Sequence, residues 1–180
     1  MKYMFASDIH GSALYCRKML EAYEASGAER LFLLGDILYH GPRNDLPEEY
    51  APKKVIAMLN EKKNEILAVR GNCDNEVDQM VLEFPIMADY AILVLDGRTF
   101  YATHGHVFNG EKLPPLGPED ILIHGHTHLL KAKKEQGHFV LNPGSVSIPK
   151  GGNAHTYGIY EDGVFTILDF EGNVVEQTAL

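Results

Sequence analysis

The sequence is poor in cysteine and has no long apolar run. Its two cysteines, Cys16 and Cys73, are too few for a disulfide framework. Asp8 interrupts the N-terminal apolar stretch too early for a signal peptide. One of the longest apolar runs, Tyr90–Leu95, is far shorter than the roughly 18–20 residues that cross a membrane. We therefore expect a protein of the reducing cytoplasm with no membrane partner.

Positive charge is also scarce. The 180 residues include 16 Lys and Arg against 25 Asp and Glu, which gives a formal charge of −9. This balance disfavours long nucleic acid as a partner, because no broad basic face is available to hold it. A small phosphate-bearing substrate stays compatible, since a local site can differ in sign from the whole chain. Length and composition predict one domain over residues 1–180.

Strands and helices alternate in the first part of the chain. A helix over residues 14–25, with Ser12 as N-cap and Gly27 at its end, is followed by a second helix from Pro52. Apolar strands are predicted at residues 3–7, 31–34 and 66–69. This βαβαβ order predicts a parallel sheet that is buried on both faces.

The second part has a different pattern. Asp96-Gly97 and Asp162-Gly163 each separate two apolar segments, which is typical of a β-hairpin. Gly137 and Gly172 mark further turns. The pattern predicts mostly antiparallel strands, with a short helix near residues 76–82.

A glycine beside Asp, Asn or His follows each of five predicted strands. The segments are Asp8-Ile9-His10-Gly11, Gly35-Asp36, Gly71-Asn72, His104-Gly105-His106 and Gly125-His126-Thr127-His128. Sheets of α/β proteins bind ligands at the carboxyl ends of their strands, and these three residue types bind first-row transition metals. Each segment alone also fits a helix cap or a turn. Their combination predicts a metal site.

This ordered series resembles the calcineurin-like metallophosphoesterase superfamily over residues 8–128. Residues 7–11, 70–74, 125–128 and 142–145 resemble more closely the YfcE-type phosphodiesterases of bacteria, as do residues 40–44 and 147–152. The resemblance implies an α/β fold, a four-layer α/β/β/α sandwich of two mixed sheets with flanking helices. It also implies two metals at one edge of that sandwich.

By resemblance, the first metal is held by Asp8, His10, Asp36 and His128, and the second by Asp36, Asn72, His104 and His126. Asp36 then bridges the two ions. A shell of oxygen and nitrogen donors without thiolate suits Mn, Fe, Ni or Zn, and manganese is the first expectation.

The implied activity is that of a phosphodiesterase that hydrolyses a small phosphate ester. In such a reaction a hydroxide that bridges the two metals attacks phosphorus. No side-chain nucleophile is required, so Ser7, Ser12 and Cys73 are not candidates for covalent catalysis.

Cys73 is the main departure from the family pattern. Many members have a histidine at this position, which protonates the leaving group, and a thiol with a pKa near 8.5 matches that role poorly. We therefore expect a preference for diesters or activated esters over monoesters; the alternative is that Cys73 only packs beneath its loop. Asp74, His106 and Arg43 are further candidates for substrate contact or ligand support. For His106 a loop-stabilising role fits equally well, and for Arg43 a surface ion pair does.

Several other polar residues have expected places near the site. His124 is expected to support the turn at residues 125–128, and residues 142–145 to pack against the metal loops. His40 is expected in a loop that could overhang the site, whereas His138 and His155 are not expected to be ligands.

Two other functions remain open from sequence alone. A protein-binding scaffold of the same fold, such as the Vps29 component of retromer, should have lost metal ligands, but all seven positions here hold competent ones. A phosphomonoesterase or small nuclease would share the chemistry. A small homo-oligomer is a further expectation by resemblance.

Overall fold

The first sheet begins with three parallel strands. In the computed structural model, which describes all 180 residues, β1 (Lys2–Ala6) pairs in parallel with β2 (Arg30–Leu33), and β2 with β3 (Ile66–Ala68). Helices α1 (Ala13–Ser26) and α2 (Pro52–Glu61) connect them. The predicted parallel βαβαβ unit is therefore confirmed.

The ends of the helices follow from local chemistry. The Ser12 side chain accepts a hydrogen bond from the backbone of the first turn of α1, and Gly27 ends that helix with a φ of 68°. Pro52 opens α2, where its missing N–H costs nothing. The short helix α3 (Glu76–Val81) begins with a capping box between Asn75 and Asp78.

Three antiparallel strands complete the first sheet. They are β9 (Thr156–Glu161), β10 (Val164–Asp169) and β11 (Val174–Ala179). β9 pairs with β1, so the strand order is β11-β10-β9-β1-β2-β3. The C-terminal strands thus extend the N-terminal sheet.

The second sheet has the order β4-β5-β6-β8-β7. Its strands are β4 (Tyr90–Leu95), β5 (Arg98–Thr103), β6 (Ile121–Ile123), β7 (Leu130–Glu135) and β8 (His138–Pro143). The hairpin turns at Asp96-Gly97 and Asp162-Gly163 are confirmed, with positive φ at all four residues. The antiparallel prediction misses two pairs, because β6 runs parallel to both β5 and β8. The long segment at residues 104–120 carries the chain back to the start of the sheet, which permits the parallel β5–β6 pair.

Two apolar clusters hold the layers together. The inter-sheet core joins the facing sides of both sheets and includes Phe5, Phe32, Phe100 and Phe165. A second cluster packs α1 and α2 against the other face of the first sheet. None of the helices combines the length and the apolar character that a membrane span requires. The packing brings the carboxyl ends of strands from both sheets to one edge.

Candidate metal centre

The seven predicted ligands meet at this edge. β1 leads to Asp8 and His10, β2 to Asp36, β3 to Asn72, β5 to His104, and β6 to His126 and His128. Donor atoms of Asp8, His10 and His128 lie within 4.8 Å of one another, as do those of Asp36, His104 and His126. The structure thus forms two neighbouring donor groups, called here the Asp8 group and the Asp36 group.

Backbone strain is concentrated in these residues. Five of the seven have left-handed φ angles: Asp8 59°, His10 49°, Asp36 55°, His126 66° and His128 59°. A non-glycine residue in this region costs about 1–3 kcal/mol and persists only when its surroundings enforce it. These backbone conformations lower the stability of the fold, and they turn the side chains toward one point.

Backbone carbonyls fix the ring orientation of three histidines. Each Nδ1–H donates to a carbonyl oxygen: His10 to Tyr39 (2.7 Å), His104 to Leu34 (2.6 Å) and His128 to Ile148 (2.6 Å). Each Nε2 is then unprotonated in the neutral ring and turns its lone pair inward. This is the arrangement that a histidine metal ligand requires.

The inward-facing donors fit a divalent cation. Nε2 of His10 lies 3.3 Å from Nε2 of His128, and Nδ1 of His126 lies 3.2 Å from Nε2 of His104. Two lone pairs at such a distance repel unless a proton or a metal ion lies between them. Asp8 Oδ1 is buried and has no hydrogen-bond partner, which is costly for an anionic oxygen that no cation neutralises. Both features are satisfied by metal coordination.

Asp36 lies between the two groups. Its Oδ2 is 3.6 Å from His10 Nε2 and 3.3 Å from His104 Nε2. The amide oxygen of Asn72 lies 3.1 Å from the same atom of His104. One carboxylate can therefore reach donors of both groups.

The two carboxyl groups are held in their charged form. Burial works against ionisation, yet the adjacent His10 and His128 rings lower the pKa of Asp8 well below its usual range. Burial also opposes ionisation of Asp36, and His104 lowers the pKa of that carboxyl. Against the effect of burial, the hydrogen bond to Asp36 and the charge of Asp8 raise the pKa of His104 to about 9. Without a metal, His104 is therefore protonated beside the two carboxylates, and a metal ion at its Nε2 would take the place of that proton.

Asp74 supports the site from beneath. Its buried carboxylate accepts hydrogen bonds from the backbone N–H groups of Asp36 (2.8 Å), Ile37 (2.9 Å) and Gly71 (2.7 Å). These bonds join the loops after β2 and β3. Of the two roles expected for Asp74, the structure supports ligand support and not substrate contact.

Residues 142–147 secure the loops from the opposite side. The Asn142 amide donates to the carbonyl of Gly125 at 2.9 Å. The hydroxyls of Ser145 and Ser147 both donate to the Asp8 carbonyl, at 3.0 and 3.1 Å. The expected packing of residues 142–145 against the metal loops is confirmed. Ser147 was not singled out by sequence reasoning, because a serine in a loop carries no distinguishing signal.

His124 lies behind the turn at residues 125–128. It is buried, its Nδ1 is 3.0 Å from the Gly125 carbonyl, and its Nε2 has no partner. Burial lowers its pKa to about 4. The ring is thus neutral and supports the turn, as expected.

Known proteins resemble this chain along its whole length. A family model described as the calcineurin-like phosphoesterase superfamily domain matches residues 1–162. The chain belongs to this superfamily. It is 50% identical to phosphodiesterase YfcE of Escherichia coli K12, across 100% of this chain and 98% of that protein. The solved structure of E. coli YfcE, described as a phosphoesterase, matches with a TM-score of 0.97 over 99% of each chain.

More distant proteins share the fold. A structure of Vps29 from Entamoeba histolytica is 20% identical and has a TM-score of 0.63 over 100% of this chain and 99% of its own. The expected fold class, two mixed sheets with flanking helices, is confirmed. The helices pack on the first sheet, while residues around Phe108–Gly110 in the segment 104–120 lie against the outer face of the second sheet.

Cys73, where many members of this superfamily have histidine, borders the metal centre. Its Sγ lies within 4.8 Å of donor atoms of His10 and Asp36, and it accepts a 3.4 Å hydrogen bond from the Asn72 amide. Burial and then the charge of Asp36 raise the pKa of this thiol to about 12. The thiol is therefore protonated at neutral pH. It lies at the site, and does not only pack beneath its loop.

A depression of about 370 Å³ opens above the donors. Arg43 and Lys150, both exposed, line it together with Asp36, Cys73 and His126. Arg43 makes no ion pair, so the surface ion pair that its sequence context allowed is not observed. Sequence reasoning missed Lys150, whose only signal was its place in the segment 147–152.

The remaining histidines have separate roles. The exposed ring of His106 stands 5.5 Å from the His104 ring, between centroids, and makes no hydrogen bond that would stabilise its loop. The His40 ring packs edge-on against Tyr50 and does not line the depression. His155 stacks on Tyr15. Neither His155 nor His138 belongs to a donor group, as expected.

Proposed function

We propose that the chain hydrolyses a small phosphodiester at a centre of two divalent metal ions. As a member of the metallophosphoesterase superfamily with 50% identity to a named phosphodiesterase, it is an enzyme, a metallophosphoesterase. The observation that carries the proposal is the pair of buried donor groups with Asp36 between them. The seven proposed ligands are Asp8, His10, Asp36, Asn72, His104, His126 and His128.

The donor set also favours the type of metal. Two carboxylates, four imidazoles and one amide form an oxygen and nitrogen shell, for which manganese is our first choice over iron, nickel and zinc. Two divalent ions against two carboxylates leave a local charge of 4 − 2 = +2. Such a pair, when bound, would lower the pKa of bound water and offset negative charge on phosphoryl oxygens.

The side chains of this protein then have distinct tasks. Arg43 and Lys150 attract the phosphate, and the Arg43 guanidinium is suited to two parallel hydrogen bonds with its oxygens. Asp74 and Asn142 keep the ligand loops in place. The neutral thiol of Cys73 is no nucleophile. We further propose that residues 1–180 act as one domain, because both sheets contribute ligands. A cytoplasmic location is proposed because the two cysteines are free, as in a reducing compartment.

The scaffold alternative is less consistent with these residues. A protein that only binds partners has no need to hold five residues of its site in strained backbone conformations. The Vps29 structure shares the fold at 20% identity, a likeness that extends to the fold alone.

Metal dependence and one substitution test the proposal. After treatment with a chelator, hydrolysis of bis(p-nitrophenyl) phosphate should require added Mn²⁺. Asp36→Ala should reduce kcat/KM by roughly 10³-fold, since loss of the shared ligand removes metal charge that would offset negative charge on the phosphate, and should lower the bound metal per chain. Asp45→Ala, which removes an exposed carboxylate nearby, is the matched control and should leave both values unchanged. Full activity of Asp36→Ala would show that the bridging assignment is wrong.

A further inference from the structure

A second cavity opens beside the metal centre, where β4 begins and β5 ends. It has a volume of about 440 Å³ and is lined chiefly by Arg70, Asp89, Tyr90, Tyr101, His106 and Phe108. We call it the aromatic cleft. None of these residues belongs to the proposed ligand set, and the reaction described above leaves the cleft without a role.

The cleft offers flat apolar surface to solvent. The rings of Tyr90 and Tyr101 stack with centroids 5.1 Å apart and planes inclined by 13°. Phe108 stands edge-on to Tyr101, at 6.2 Å and 85°. Tyr90 is 54% exposed. Exposed aromatic rings grouped in a concave site are typical of ligand binding.

Polar groups at the edge of the cleft lack firm partners. The Arg70 guanidinium approaches Asp89 only to 3.8 Å, and the buried Nε of Arg70 makes no hydrogen bond. His106 has no hydrogen-bond partner either. A cation, a carboxylate and an imidazole around aromatic faces can orient a flat polar ring, such as a heteroaromatic group.

The cleft adjoins the metal centre through His106. The His106 ring lies 5.5 Å from that of His104 and 6.2 Å from that of His126, between centroids. Arg70 precedes Gly71-Asn72, and Thr103 in the cleft wall precedes His104. A phosphate held by the proposed ligands therefore has one ester substituent within reach of the cleft.

We propose that the aromatic cleft binds a planar aromatic substituent of the substrate, such as a nucleobase or an aryl group. This inference rests on the proposed phosphodiesterase function. It narrows the substrate class to phosphoesters in which an aromatic group is joined to the phosphate directly or through a short linker. The phosphate group itself would be bound in the depression that Arg43 and Lys150 line.

Competitive inhibition separates aromatic recognition from phosphate recognition. Phenyl phosphate, cyclohexyl phosphate and methyl phosphate carry the same charged group and differ in the substituent. With Mn²⁺-loaded enzyme and bis(p-nitrophenyl) phosphate as substrate, phenyl phosphate should have an inhibition constant about tenfold below that of methyl phosphate, as expected for one stacking contact. Cyclohexyl phosphate, which is apolar but not planar, should lie between them.

Substitutions at two positions of β4 provide the matched comparison. Tyr90→Ala should reduce the phenyl-to-methyl ratio to about twofold, and Tyr90→Phe should retain it, because the ring supplies the stacking. Ile92→Ala is the control, since Ile92 is also about half exposed on the same face of β4 but lies outside the cleft. Inhibition by inorganic phosphate should be the same in all four proteins.

Failure of this inference differs from failure of the proposed function. Equal inhibition constants for the three esters, or a ratio that Tyr90→Ala leaves intact, would overturn the cleft assignment while hydrolysis continues. An enzyme that hydrolyses no ester would overturn the proposed function. Calorimetric titration of the metal-loaded protein with phenyl and methyl phosphate would then still decide whether the cleft prefers the aromatic group.

Discussion

The two sheets contribute different chemistry to the metal centre. The first sheet supplies both carboxylates and the amide, from Asp8, Asp36 and Asn72, together with one imidazole. The second sheet supplies imidazoles only, from His104, His126 and His128. Neither set is a complete site, since one concentrates the charge and the other most of the nitrogen donors. The centre therefore depends on how the sheets are packed together.

This dependence gives the inter-sheet core a functional meaning. Phe100 of β5 lies fully buried between the sheets, where its ring stacks on Phe5 at 6.4 Å and meets Tyr160 edge-on at 5.1 Å. Apolar packing of this kind has no direct contact with a ligand. It nonetheless fixes the distance between the carboxylates of one sheet and the imidazoles of the other.

The largest expected effect comes from weakening that packing. Phe100→Ala should lower the free energy of unfolding by about 3–5 kcal/mol, through lost burial and a cavity between the sheets. Val94→Ala on the exposed face of the neighbouring strand is the control and should change it by less than about 0.5 kcal/mol. Urea unfolding measures both. A loss below about 1 kcal/mol for Phe100→Ala would mean that the sheets are held together elsewhere.

Acid should lower the free energy of unfolding through His124, which supports the histidine ligands of the second sheet. Its pKa is lowered to about 4 in the folded protein, against an ordinary value near 6.5, so the unfolded chain binds more protons between these values. The contribution of the neutral His124 ring to the free energy of unfolding is therefore fully present above pH 6.5. It is lost as the pH falls toward 4, by about 3 kcal/mol in total.

His124→Gln removes this proton linkage. Urea unfolding from pH 7.5 to pH 4.5, with chelator present in both proteins, should show a shallower loss of stability for the variant than for the wild type. Parallel pH profiles would contradict the buried, neutral state of His124.

The strand ends were predictable from sequence because short apolar runs followed by glycine and a polar residue have few other interpretations. The parallel unit, both hairpins and all seven residues at the edge followed from that pattern together with the family resemblance. The parallel placement of β6 did not, since strand direction depends on the path of residues 104–120, and that segment has no regular pattern.

Contacts between distant segments were also beyond sequence reasoning. Lys150 reaches the depression, and Ser147 binds the Asp8 carbonyl, only because residues 144–150 return to the first sheet. Tyr90 and Tyr101 stack because the β4–β5 register pairs Tyr90 with Thr103 and so makes the two tyrosines diagonal neighbours. Such contacts depend on how distant segments pack together, which local composition does not predict.

A disturbance on the carboxylate side should affect activity more than stability. A Cβ at Gly71 would collide with Oδ1 and the backbone nitrogen of Asp36, so Gly71→Ala must displace that carboxylate. Misplacement by about 1 Å commonly costs roughly 10²-fold in rate, and we expect such a drop in kcat/KM. Gly97→Ala, in the open β4–β5 turn, should lower stability and leave kcat/KM unchanged. Equal kcat/KM for both variants would contradict the tight contact at Gly71.

The smallest expected effect comes from substitution of Cys73, at which many relatives have a histidine. Cys73 borders the metal centre, and its pKa near 12 makes it a weak acid for protonating a leaving group. Cys73→His would place a second imidazole beside the carboxylates and supply that proton. General acids matter most for poor leaving groups, so kcat/KM for phenyl phosphate relative to bis(p-nitrophenyl) phosphate should rise about tenfold.

Cys73→Ser separates the gain of histidine from the loss of the thiol. The hydroxyl is similar in size and is no better as an acid at neutral pH, so its ratio of monoester to diester activity should match the wild type. If Cys73→His also leaves the ratio unchanged, the preference for diesters does not originate at this position. The second sheet, whose His106 stands exposed at 5.5 Å from the His104 ring, would then be the place to look for the proton donor.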